Sequence, residues 1–149
     1  MEMRIRPKSD YLKQAGWEEL YVLSGHWKSD MDFYSDELNF LSNLLNRYSM
    51  WLTENDNIRR VEKVKLKLSV LQEFKNDLIH CVLKHMRHLK DLMENPFSYD
   101  EIIFRNEHAE LEDDFADFIK AHRTLKREVF SLTSSIVESE NINNLLHGG

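Results

Sequence analysis

The sequence predicts an all-α fold, an elongated antiparallel up-down-up three-helix bundle, and three observations carry that prediction. Turn-formers are scarce, with Gly 4 and Pro 2 in 149 residues. A β-sandwich needs a turn signal every roughly 8 to 12 residues, which this composition cannot supply. The chain breaks clearly at two places after its N-terminal tail, TENDN at 53–57 and NPFS at 95–98. Between the breaks, apolar residues recur at alternating spacings of 4 and 3, the rhythm of a helix seam.

The elements follow in order. Residues 1–16 form a tail with a short helical turn over Asp10–Ala15, ended by Gly16. Helix 1, about 17–54, carries Trp27, Met31, Tyr34, Leu38, Leu41, Leu45, Tyr48 and Leu52 on its seam. Helix 2, about 56–95, opens on Asn55 or Asp56 as N-cap. Its seam runs Val61, Val64, Leu68, Leu71, Lys75, Leu78, Val82, His85, Leu89 and Leu92. Pro96 stops it, and Ser98 with Glu101 reads as a capping box for helix 3, about 99–140. There the seam is Phe104, His108, Leu111, Phe115, Phe118, His122, Leu125, Val129, Leu132 and Ile136. Residues 141–149 (NINNLLHGG) read as a flexible tail. Helices of ~40 residues are ~60 Å long, and short connections make sequential neighbours antiparallel.

Composition bounds the function. Hydrophobic residues are 42% and charged residues 31%, a globular balance that fits one domain. The glycines at 16, 25, 148 and 149 exclude a glycine-rich phosphate loop. The single Cys81 excludes an internal disulfide and any cysteine zinc motif. No apolar leader occurs in MEMRIRPKSD and no long apolar run follows, which predicts no membrane span and a cytoplasmic location. A net charge of −6 repels phosphate backbones, so no nucleic-acid partner is expected.

Polar residues in the seam are the functional signal. They are Lys75, His85, His108 and His122, and a histidine there needs partners for its ring nitrogens. Folding about residue 55 brings His26 beside His85, and folding about 97 brings His85 and His88 level with His108. Asp30 and Glu112 stand four residues after His26 and His108, on the same helix faces. His26, Asp30, His85, His88, His108 and Glu112 thus form a ligand set for one or two ions of Fe, Mn or Zn, with O₂ or redox chemistry if the ion is iron. As a constellation it resembles the histidine–carboxylate sites of hemerythrin-like and ferritin-like bundles. Those folds use four helices, and the ferritin type a Glu-x-x-His pair, so no residue is carried over.

A metal-free alternative reads the same layer as a hydrogen-bonded cluster that fixes helix register in an interaction or scaffold module, similar in outline to spectrin-like repeats. A third reading uses paired histidines as acid and base without metal. The same arithmetic sets Glu37, Lys75 and His122 in a second buried polar layer, Glu37 neutralising Lys75. His80 falls off the seam, and Cys81 reads as a small core residue. Gly25, inside helix 1, suggests a close helix approach or a bend. A second apolar row, including Phe33, Phe40, Trp51 and Ile119, either completes the core or supports a homodimer or a protein partner.

Overall fold

A seam of period 3.5 keeps one face of a helix turned toward its neighbours, so three such seams bury one another. The computed structural model of the chain describes residues 16–95 and 101–147, and for 141–147 the backbone alone. Its helices are α1 (Trp17–Ser49), α2 (Asn55–Glu94) and α3 (Glu101–His147). They pack as a three-helix bundle, with no strand among the described residues. No seam position is exposed: Tyr34, Tyr48, Leu52, Lys75 and Phe104 are half-buried and all others are buried. No helix among the described residues is long and apolar enough to cross a membrane.

The chain forms two compact units. The first comprises the described part of Met1–Tyr34 with Phe74–Lys120. In it Leu20, Leu89 and Leu92 form a buried cluster against which Trp17, Tyr21, Leu23 and Phe104 pack. Phe115 and Phe118 extend this core, meeting the rings of Trp27, Tyr34 and Phe74. Each fully buried leucine or phenylalanine contributes about 1.5–3 kcal/mol relative to an exposed one. The helix register matches the turn arithmetic here, since Met86 of α2 is the neighbour nearest Gly25 of α1. The second unit comprises Ser35–Glu73 with the described part of Ala121–Gly149. Leu38, Leu41 and Leu45 of α1, Val61, Val64 and Leu68 of α2, and Val129 and Ile136 of α3 are buried there.

Several expectations change. Of Phe33, Phe40, Trp51 and Ile119 in the second apolar row only Ile119 is buried, at 5% exposure, whereas Phe33, Phe40 and Trp51 are exposed at 58%, 56% and 70%. A third helix covers a narrower stripe than the row requires, so its flank faces water. Cys81 shares that fate and is exposed, not a core residue. Gly25 meets nothing closer than the Met86 side-chain tip at 3.9 Å from where a Cβ would stand, so no close approach demands it. Helix α3 continues through His147, past the end expected at 140. The expected turn over 10–15 and the Ser98 half of the capping box lie outside the described residues; Glu101 pairs with Arg105, 2.9 Å away one turn on.

Candidate functional site

The buried polar site of the first unit is built by α2 and α3. His85 and His108 occupy seam positions, are both 0% exposed, and meet with Nε2 of His85 2.8 Å from Nδ1 of His108. On its other side His85 turns Nδ1 to the Glu107 carboxylate at 2.5 Å. Glu107 also holds His88, whose Nδ1 lies 2.8 and 3.0 Å from its two oxygens. Trp27 of α1 covers the far end, its ring stacked on His108 with centroids 4.6 Å apart.

Proton positions follow from this geometry. Burial alone would raise the Glu107 pKa, but hydrogen bonds from His88 and His85 outweigh it and hold the carboxylate below its usual range. Ionised, it only accepts, so His85 carries its proton on Nδ1 and offers a lone pair at Nε2. His108 then donates from Nδ1 to that lone pair, leaving its own Nε2 unprotonated. That atom is buried and has no hydrogen-bond partner among the described residues. Burial pushes both histidines toward the neutral form. His85 is lowered despite Glu107, and His108 falls from 6.5 to about 3 under burial, His85 and Arg105. Two buried imidazoles in contact cannot both take a charge.

The structure brings together three of the six residues expected to form a metal layer, His85, His88 and His108. Glu112 is buried one turn beyond His108, at 4% exposure. His26 and Asp30 are exposed, because the buried α1 position at this level is Trp27 and its neighbour His26 points about 100° around the helix. Asp30 is raised by partial burial, with His26 acting in the opposite sense. Among the described residues no group of three or more His, Cys, Asp or Glu is placed to hold a metal ion. The carboxylate that joins the histidines is Glu107, which reads in sequence as the start of the acidic stretch EHAELEDDFAD. Its signal was its place on the edge of the seam, beside His108 and level with the end of α2, where a carboxylate reaches across to the next helix.

The second unit holds two further polar clusters. Glu37 lies 3.0 Å from Nε2 of His122 and accepts from Nζ of Lys126 at 2.7 Å. Lys126, not Lys75, is therefore the cation of that layer; it stands one turn after His122 on α3, and Lys75 is only half-buried. Burial lowers the His122 pKa, with Glu37 opposing and Lys126 assisting. The other cluster closes the start of α2. Ile58 N–H donates to the Glu54 carbonyl at 3.1 Å, which makes Glu54 the cap position, ahead of the expected Asn55 or Asp56. Glu140 of α3 accepts from the Thr53 hydroxyl at 2.7 Å, the Thr53 N–H at 3.2 Å and the Asn57 amide at 3.1 Å. Burial would raise its pKa, but these bonds and one from the Glu54 backbone hold it low.

No protein-family model matches this chain, and neither the curated proteins nor the solved structures yield a match.

Proposed function

We propose that this chain is a helical interaction or scaffold module in which the buried His85–His108 pair, joined to the half-buried Glu107, fixes the pairing of α2 with α3. The observation that supports this reading is the use of both His85 ring nitrogens in direct hydrogen bonds, one to each neighbour. A one-turn slip of α3 would leave a buried imidazole facing apolar side chains, at a cost of about 1–3 kcal/mol for each unmatched group. Such a layer favours one register over others. Each unit has exposed apolar rings that such a module would present to a protein partner or a second copy, Phe33 on the first and Phe40 and Trp51 on the second.

One atom favours a second reading, metal binding by Fe, Mn or Zn. His108 Nε2 is a buried lone pair without a hydrogen-bond partner among the described residues, oriented from behind by His85 and Glu107 as metal-bound histidines commonly are. Metal analysis of protein purified without a histidine tag, with thermal melts before and after chelation, separates the two. The scaffold reading expects no stoichiometric metal and no chelator effect; bound metal whose removal lowers the melting temperature would replace it with the metal reading.

A further inference from the structure

His88 differs from its buried neighbours in facing water while being held from behind. Its side chain is 28% exposed, and Phe104 packs edge-on against its ring with centroids 5.0 Å apart. Its Nδ1 donates to Glu107, whose carboxylate is anchored in turn by His85. The proton therefore resides on Nδ1 and the lone pair on Nε2, which makes no hydrogen bond among the described residues. A nucleophilic nitrogen with a carboxylate fixing its tautomer and orientation is the logic of an activated nucleophile.

The surroundings select the electrophile. Lys84 stands one turn before His88, Arg87 is adjacent and Lys90 follows, all exposed; Asp91 is the one carboxylate within residues 84–91, and Glu107 faces His88 from α3 on its Nδ1 side, away from Nε2. This segment of α2 is locally cationic in a chain of net charge −6. An anionic electrophile is drawn to such a stretch. An acyl group would need N–H donors for its oxyanion, and the N–H groups of a helix interior are already engaged.

We propose that His88 is a phosphoryl-acceptor site, taking a phosphoryl group from a phosphoramidate or acyl-phosphate donor. The Nε2 lone pair forms the N–P bond as the bond from phosphorus to the leaving group breaks, and that group departs with the bonding electron pair. With phosphoramidate the leaving group is ammonia, already protonated in the donor. The positive charge that develops on the imidazole is balanced at Nδ1–H by Glu107, which holds or accepts that proton. Glu107 acts as a positioning residue, and Lys84 and Arg87 offset the charge of the transferred group.

The full chain incubated with potassium phosphoramidate tests this, with site-resolved mass spectrometry under alkaline handling, since phosphohistidine is acid-labile. The exposed His26 and His80 are internal comparators in the same molecule. His88 is expected to gain one phosphoryl group at least about ten-fold faster than either. Glu107→Gln, checked for folding by circular dichroism, is expected to bring His88 down to the comparators' rate. Labelling of His88 no faster than His26 or His80 in the unaltered protein would overturn the proposal without recourse to any variant. A folded Glu107→Gln protein that still labels His88 at the full rate would overturn the part given to Glu107.

Discussion

Nε2 of His85 and Nδ1 of His108 lie 2.8 Å apart with both residues wholly buried, so one proton is held between two nitrogens that have no water to turn to. His85→Leu leaves the His108 N–H without an acceptor, and His108→Leu leaves the His85 lone pair without a donor. Each single change should cost about 1–3 kcal/mol. The double substitution removes both groups at once and should cost less than the sum, with a coupling of about 0.5–3 kcal/mol. Urea denaturation of the four proteins measures it. Additive losses would show that the pair contributes no mutual stabilisation.

Acid should weaken the fold earlier than carboxylate titration alone would. Below pH 6.5 the unfolded histidines bind protons that the folded His85 and His108 exclude, and for His108 this exclusion lasts to about pH 3. The unfolded state then carries more bound protons, so stability falls as pH drops through that window. Glu107 and Glu140, both lowered in the fold, add losses of the same sign below 4.5. Denaturation midpoints between pH 8 and 4 should decline steadily below about 6.5. A flat profile from pH 8 to 5 would contradict the placement of these rings.

The seam was legible in sequence because burial along a helix is set by period, and period needs no knowledge of the partner. His85, His108 and His122 fall on it and are buried, with exposures of 0%, 0% and 4%. What stayed hidden lay at the flanks. Whether His26, Cys81 or Phe33 meets a neighbour depends on helix rotation by tens of degrees, which a 3.5-residue pattern does not fix. Pairing across the flank is harder still. Glu37 had Lys75 as its level-matched partner on paper, but reach favours Lys126, already beside His122 on the parallel helix. Glu107 was hidden by composition, one acid at the head of an acidic stretch.

Replacing Glu37 should therefore be mild. Lys126 keeps 43% of its side-chain surface in water, so removing its anion leaves no buried charge. Glu37→Gln is expected to cost about 0–1 kcal/mol, the range of exposed pairs. A loss above ~3 kcal/mol would mean that a cation in this layer is shut away from solvent.

Gly25→Ala should stabilise the protein. The position is mid-helix, and an added Cβ would meet only the tip of a flexible methionine at ordinary contact distance. Alanine restricts the unfolded chain and favours helix by about 0.5–1 kcal/mol. A thermal melt that moves downward would indicate that the backbone at Gly25 needs freedom the helix geometry does not reveal.

Glu140→Gln should loosen the start of α2 rather than the whole molecule evenly. The carboxylate gathers the Thr53 hydroxyl, the Thr53 N–H and the Asn57 amide. It places a full negative charge at the positive end of the α2 dipole. An amide keeps one acceptor oxygen, turns an N–H toward donors, and removes the charge. The expected cost is about 1–2 kcal/mol. Hydrogen exchange localises it: amides of residues 53–58 should exchange faster, while those around His85 and His108 should change only as far as global stability falls. Uniform acceleration across α2 would show that the Glu140 cluster supports the fold as a whole and does not act as a local cap.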